Sequence, residues 1–397
     1  MLNTKFSPWP SFTKEEANKV KEILLSNKVN YWTGAEGRKF EKEFAKFSDV
    51  KYAIALGNGT LALDLALVAL GIGARNGGSE SDEVIVTPRT FLASASSIVT
   101  AGARPVFADV DLNSQNITAD TISAVMTNNT RGIIAVHLAG HPCEMDEIME
   151  LAESRGVYVI EDCAQAHGAK YKGRSVGSIG HIGCWSFCQD KIMTTGGEGG
   201  MVTCNDEILW RKMWAYKDHG KSYEAVYERE HQPGFRWLHE SFGTNWRLTE
   251  MQSSIGRIQL SKMPEWFEKR KLHADLLAQE CQRFSCVRVP STPDYMEHAN
   301  YKFYVFIEPE NLAEGFNRDK IVELINALGA PCMQGSCSEV YLEKAFDGKD
   351  FKPKERLPMA KELGETSLMF LVHPSLTETD MQHYVHAIGS VLSQAQK

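Results

Sequence analysis

The sequence predicts an α/β protein: a large domain built on a mostly parallel sheet between helices, then a smaller α+β domain. Three observations predict it. Up to about residue 205, short apolar runs alternate with helix-like segments, the pattern of βαβ units. After about Arg247 that alternation gives way to a long helical stretch followed by isolated strand and helix patterns. A chain of 397 residues is also long for a single core. The boundary is therefore placed at 250, with an N-terminal arm and large domain over 1–250 and a small domain over 251–397.

Taken in order, Thr13-Lys-Glu-Glu16 has capping-box spacing, and Val20, Ile23, Leu24 and Leu25 follow as an apolar stripe, predicting a short helix. Tyr52–Leu56 reads as a strand running into the glycine turn Gly57–Thr60, and LALDLALVAL continues as a helix. Glu83–Val86, Pro105–Phe107, Gly132–His137 and Val157–Ile160 read as strands, with helices over Phe91–Thr100 and Met145–Ser154 between them. Ala74–Asp82 is polar and glycine-rich, a loop. Tyr223–Glu240 is charged and aromatic without a clear period. In the second half, Arg257–Gln282 reads as a long helix interrupted early by Pro264. Tyr301–Ile307 reads as a strand, and Arg318–Leu328 and Thr379–Leu392 as helices.

Composition narrows the function classes. A net charge of −8 argues against a nucleic-acid partner, which needs clustered Lys and Arg. No apolar run approaches the roughly 20 residues that span a bilayer. The start, MLNTKFSPWPSF, lacks a charged region followed by an apolar one. None of the nine cysteines forms a C-x-x-C pair, and several lie in apolar runs, so buried free thiols in a reducing, cytoplasmic setting are expected.

In open parallel sheets, ligands sit beyond the carboxyl ends of the strands. The Gly57–Thr60 turn, His137, Glu161-Asp162 and Ser186 all fall at such ends. Lys191 follows Ser186 by five residues and precedes a glycine-rich run, Gly196-Gly-Glu198-Gly-Gly200. A lysine there can form a Schiff base with a carbonyl cofactor such as pyridoxal phosphate. Such a site needs a carboxylate for the pyridine nitrogen, for which Asp162 is the candidate. It needs N–H groups and hydroxyls for the phosphate, offered by the helix start after Gly57–Thr60 and by Ser186. It needs a flat group over the ring, Phe91, and a small residue beneath it, Ala164. Rival chemistries fit less well. No G-K-[ST] follows the glycines, as a phosphate loop would require. His137 and His141 stand four apart but flank a non-helical Leu-Ala-Gly, so no metal is expected. Cys163 sits in an apolar run that would raise its pKa, against a nucleophilic role.

The segments NGTLALDLAL, PRTF, VHLAG, VIEDCAQAHGAKYKGRSVGSIG, SF…K…GEGG, KDHG and FGTNWRLTEMQ occur in that order. Together they resemble the DegT/StrS family of nucleotide-sugar aminotransferases, within the fold type I superfamily that uses pyridoxal 5'-phosphate. The resemblance runs from near residue 10 to the C-terminus. It implies a seven-stranded sheet in the large domain and a homodimer with shared active sites. It implies that Lys191 carries the cofactor, with Asp162 on the pyridine nitrogen and Gln165 on the phenolic oxygen. On the same resemblance Gly59, Thr60 and Ser186 would hold the phosphate, and Asn245 would reach the partner subunit's phosphate. His137 and His167 match positions near the cofactor. Tyr31, Trp32, His219 and Arg247 are candidate sugar or nucleotide contacts, and Lys217 and Lys221 candidates for a diphosphate or for a solvated surface. Two departures from the family pattern stand out: an extra glycine before Glu198, and Gly335–Glu339 in place of a His-Tyr-x-Pro segment.

The implied function is transfer of an amino group from L-glutamate to a nucleotide-linked 4-keto-6-deoxy sugar for surface-glycan assembly. The favoured substrate is UDP-2-acetamido-2,6-dideoxy-4-keto-hexose aminated at C4, a bacillosamine-type precursor. A dTDP- or GDP-linked sugar, or C3 amination, stays open. Lys191 argues against the dehydratase relatives, which carry histidine there. The other function class is a regulatory protein that binds the cofactor without turnover.

Overall fold

The computed structural model describes residues 6–230, 234 and 236–397. Seven strands form the main sheet: β1 Tyr52–Leu56, β2 Glu83–Val86, β3 Arg104–Phe107, β4 Thr130–Val136, β5 Tyr158–Asp162, β6 Ile182–Ser186 and β7 Gly200–Cys204. Their spatial order is β1-β7-β6-β5-β4-β2-β3. Only β7 runs against its neighbours, pairing antiparallel with both β1 and β6. The other pairings are parallel. Continuous apolar runs suit these strands because both faces are covered by helices; β6 and β7 are buried along their whole length.

The helices begin where the sequence supplies caps. Asn58 accepts from the Leu61 N–H to open Gly59–Leu70, and Thr13 with Glu16 closes a capping box on Lys14–Ser26. The long helix is Glu250–Cys281, opened by a capping box of Thr249 and Gln252. It begins seven residues before the expected start and passes through Pro264 without a break, contrary to the expected interruption. Proline inside a helix costs about 3 kcal/mol. Leu260, Met263, Trp266 and Phe267, packed in the core that lies against Phe40, Phe44 and Trp185, offset that cost. This helix packs on Lys14–Ser26 and Glu36–Phe47 toward one end and on Glu378–Ala395 toward the other.

A second, antiparallel sheet joins Val287–Arg288, Phe303–Ile307, Ser367–Phe370 and Cys332–Met333, backed by Arg318–Ala327 and Glu378–Ala395. Between its strands the chain returns to the main sheet: Val340, Tyr341 and Phe346 are buried in the core that also holds Val86 and Phe107. The link is specific. The Val340 N–H donates to the Pro88 carbonyl at 2.9 Å, and Arg89, fully buried, donates to Ser338 Oγ at 2.9 Å and to Gln115 Oε1. The Gly335–Glu339 segment is thus anchored two residues from Phe91.

Candidate active site

The carboxyl ends of β1, β4, β5 and β6 and the loop after β2 converge on a cavity of about 520 Å³. Larger hollows lie between the Glu250–Cys281 and Glu378–Ala395 helices (about 1080 Å³) and beside Trp210 and Trp214 (about 990 Å³), but neither reaches these strand ends. Gly59, Thr60, Phe91, Asp162, Ala164, Gln165, Ser186 and Lys191 all line the smaller cavity.

Each wall has a physical cause. At one end, the Gly59–Leu70 helix points its first N–H groups inward, a ready anion site, with the Thr60 and Ser186 side chains on the same wall. The approach is tight enough to require glycine: a Cβ on Gly59 would stand 2.5 Å from the Ser186 Cβ, and one on Gly200 would stand 2.3 Å from the Asn58 carbonyl oxygen. At the other end, Asp162 is held by the Ser94 hydroxyl, which donates to Oδ2 at 2.8 Å, and by the Ala164 N–H, which donates to Oδ1 at 3.1 Å. Gln165 Oε1 accepts from the Ala139 N–H at 2.8 Å, so the end of this amide left for the cavity is the donating NH₂. Phe91 is 70% exposed, a large apolar ring on the cavity wall rather than in the core. These features fit a flat, phosphorylated pyridine: anion cradle, ring face, acceptor for a ring N–H and donor for a ring oxygen. Substituting Gly59 by alanine is expected to weaken cofactor binding at least tenfold, about 1.4 kcal/mol, with an unchanged circular dichroism spectrum. Cofactor titration followed by fluorescence measures it.

Lys191 faces the cavity from a loop in which Gly196 and Gly197 both take positive φ (91° and 119°). The extra glycine is therefore a second left-handed position. Three residues that sequence reasoning missed surround the lysine. The Trp9 indole donates to the Lys191 carbonyl at 2.8 Å, the Lys191 Nζ lies 5.2 Å from the centre of the Tyr301 ring, and the Tyr301 hydroxyl donates to Asp190. Ser94, which orients Asp162, was also missed. Of these only Asp190 had a signal, its place beside Lys191; the others lie far along the chain.

The residues expected to meet sugar or nucleotide form a separate cluster. Asp218 accepts from the Trp32 indole at 2.8 Å, from Lys221 at 2.9 Å and from Arg247 at 2.6 Å. Tyr31 donates to Glu41 at 3.0 Å. Lys217 is fully buried with its Nζ 4.1 Å from the centre of the Tyr31 ring, and Lys221 is buried against Trp32. Neither is a solvated surface lysine, and Lys217 is shut off from any diphosphate by this packing. His219 and Asn245 are exposed, and Asn245 lies outside the cavity of its own chain.

His137, Glu161 and Cys163 bring three potential ligand atoms within 4.8 Å. The hydrogen bonds give this cluster a structural role. His137 Nδ1 accepts from the Cys143 N–H, so Nε2 carries the proton and donates to Glu161 Oε2 at 3.0 Å. Glu161 also accepts from the N–H groups of Gly177, Ile179 and Gly180. Burial and the neighbouring carboxylates push the Cys163 thiol well above its ordinary value. His141 is not part of the cluster; its ring packs edge-on against His298. His167 lies behind the cavity between Trp185 and Phe187, where burial, helped by the Lys191 and Arg270 charges, pushes its imidazole down to about 3. It is neutral at working pH.

The family profile of DegT/DnrJ/EryC1/StrS aminotransferases matches residues 10–389. The chain belongs to that family. Its fold is the fold type I aminotransferase fold and its cofactor is pyridoxal phosphate, as in its relatives. A GDP-perosamine synthase from Escherichia coli O157:H7 is 34% identical, covering 97% of both chains. A UDP-N-acetyl-3-dehydro-alpha-D-glucosamine 3-aminotransferase from Acidithiobacillus ferrooxidans is 34% identical over 92% of this chain and 90% of its own. Among solved structures, an aminotransferase from Psychrobacter cryohalolentis is 62% identical, with a TM-score of 0.94 over 98% of this chain and 99% of that one. Both of these curated relatives are named for nucleotide-linked sugars. No described helix is long and apolar enough to cross a membrane.

Proposed function

We propose that this protein transfers the amino group of L-glutamate to C4 of UDP-2-acetamido-2,6-dideoxy-4-keto-hexose, supplying a bacillosamine-type precursor for surface glycans such as O-antigen. The proposed setting is the cytoplasm and the proposed assembly a homodimer. The observation that carries the aminotransferase reading is the meeting of Lys191 with Asp162 and the Gly59–Ser186 anion cradle in one cavity. Bound pyridoxal phosphate supplies an electron sink for the carbon that loses a proton. Lys191 would hold the cofactor, and its free amine would be placed to move the proton from the donor's α-carbon. Asp162, kept as an acceptor by Ser94 and the Ala164 N–H, stabilises positive charge at the ring nitrogen. Phe91, on the cavity wall, would cover one ring face. The segment that would bring Asn245 to the partner carries two almost wholly exposed aromatics, Trp237 (90%) and Phe242 (99%), which supports a surface covered in a dimer.

A GDP-linked keto sugar is the second reading, favoured by the identity to the GDP-perosamine synthase over nearly the whole chain. The test is the visible absorption of the purified protein on adding L-glutamate, followed in the same cuvette by UDP-, GDP- and dTDP-linked 4-keto-6-deoxy sugars. The band is expected to collapse with glutamate and to return with the UDP sugar. Return with only a GDP or dTDP sugar replaces the substrate. No response to glutamate overturns the donor assignment and favours a regulatory role.

A further inference from the structure

The sequence motif ends at Lys191, but the structure surrounds this lysine with groups from distant parts of the chain. Tyr301, buried just before the Phe303–Ile307 strand, places its ring 5.2 Å from the Lys191 Nζ, within reach of a cation–π contact. Its hydroxyl donates to the carboxylate of Asp190, the residue immediately before the lysine. The same ring receives the Lys302 Nζ at 4.7 Å. The Trp9 indole holds the Lys191 carbonyl, and that ring lies edge-on to Trp266 and 5.2 Å from the Arg270 guanidinium carbon. The backbone of Lys191 is therefore fixed by Trp9, while its side chain has Tyr301 and Asp190 as neighbours.

We infer that Tyr301 is a positioning residue for Lys191: its ring face carries the amino group when the lysine is off the cofactor, and its hydroxyl fixes Asp190 as the local counter-charge. This rests on Lys191 being the cofactor-bearing lysine.

The energetics are balanced, which is why the position matters. The charged or titratable groups around Lys191 are Asp190 and Cys188 on its own loop, Tyr301 and Lys302 before the Phe303–Ile307 strand, Arg270 on the long helix, His167 behind the cavity, and Asp162 and Glu198 on its walls. Burial works to raise the Asp190 carboxyl, but the Lys191 charge and the Tyr301 hydrogen bond outweigh it and hold the group below the usual carboxylate range. Burial and the Asp190 charge keep the Tyr301 phenol well above its ordinary value, so it stays a donor. Lys302 is pushed down to about 8 by burial and by Arg270. Asp190 is thus an anion coupled directly to Lys191, beside the cations Lys302 and Arg270. Losing its charge disfavours a protonated Lys191 nitrogen; losing the ring removes the surface to which the released amine returns.

The test uses the holoenzyme and three variants, Tyr301→Leu, Tyr301→Phe and Asp190→Asn. Borohydride reduction and peptide mapping first locate the cofactor-bearing lysine. Attachment anywhere but Lys191 overturns the site reading itself. With Lys191 confirmed, Asp190→Asn is expected to move the pH midpoint of the bound cofactor's visible band downward by roughly half a unit or more, since removing an anion lowers the pKa of a nearby cationic nitrogen. Tyr301→Leu is expected to slow the glutamate half-reaction about tenfold with the donor KM within about twofold. Tyr301→Phe, which keeps the ring, should retain most of that rate. An unmoved midpoint in Asp190→Asn, or a wild-type rate in Tyr301→Leu, overturns this inference while leaving the site reading intact. If Tyr301→Leu does not fold, Asp190→Asn decides, and Tyr301→Phe losing the full tenfold also counts against the ring.

Discussion

Replacing Lys191 by alanine is expected to abolish the visible band of the bound cofactor and to lower turnover about 10⁴-fold, while the protein folds and still binds the cofactor weakly. The size follows from what is lost together: the covalent tether and the group that moves the α-proton, the second worth 10²–10⁴-fold alone. Folding survives because the long-range bond at this position is made by the main chain; Trp9 donates to the carbonyl of residue 191, which alanine keeps. The proposed phosphate cradle of Gly59, Thr60 and Ser186 is also untouched, so cofactor binding is expected to persist without the Schiff base. Lys302 is the necessary control. Burial pushes its amino group down to about 8, so more of it is free amine at neutral pH than in an ordinary lysine. It does not line the cavity, however, and Lys302→Ala is expected to retain the band. Geometry selects the nucleophile here, ahead of pKa. Loss of the band in Lys302→Ala with its retention in Lys191→Ala would reverse the assignment.

How much of this was legible in the sequence depends on the range of the interaction. Glu83–Val86 and Tyr52–Leu56 are strands with the expected bounds, because apolar runs between turns specify local structure directly. Phe91, Asp162, Ser186 and Lys191 were readable as a set because a parallel sheet collects its strand ends on one edge, so position along each βα unit predicts position in space. Trp9 and Tyr301 were not readable: they meet Lys191 across sequence separations of 182 and 110, and no periodicity encodes such contacts. Lys217 shows the opposite failure. A lysine in KDHG reads as polar surface, yet it is buried on the Tyr31 ring with Glu41 at 3.5 Å. Long lysine stems bury readily when an aromatic face and a carboxylate take the ammonium. Pro264 is a third kind of miss, where a local penalty of about 3 kcal/mol is outweighed by packing on the rest of a 32-residue helix.

The adjacent carboxylates Glu161 and Asp162 are expected to separate stability from activity when each is replaced by its amide. They are consecutive on β5, so they point to opposite faces of the sheet. Glu161 points away from the cavity, fully buried, accepting from His137 and three backbone N–H groups. Glu161→Gln keeps one acceptor oxygen but turns an NH₂ toward donors, and a buried network broken on one side costs about 3 kcal/mol. Its mutant should unfold at lower denaturant concentration yet bind the cofactor normally when folded. The wild-type pH dependence carries the same signature. Burial works to raise the Glu161 carboxyl, but the His137 and backbone hydrogen bonds outweigh it and lower it. Its folded value therefore lies below its unfolded one, so the stability it contributes is present above the unfolded value of about 4.3 and is lost as the pH falls through the folded value. Glu161→Gln should flatten that acid limb. Asp162→Asn should do the reverse: little change in denaturant midpoint, since the Ala164 N–H can still donate to the amide oxygen and the Ser94 hydroxyl can turn to accept from the new NH₂, but a rate loss of about 10²–10³-fold is expected from removing the charge proposed to face the ring nitrogen. Chemical denaturation and glutamate half-reaction rates on both variants read the two effects side by side. Equal loss of stability in the two would mean that Asp162, too, is chiefly structural.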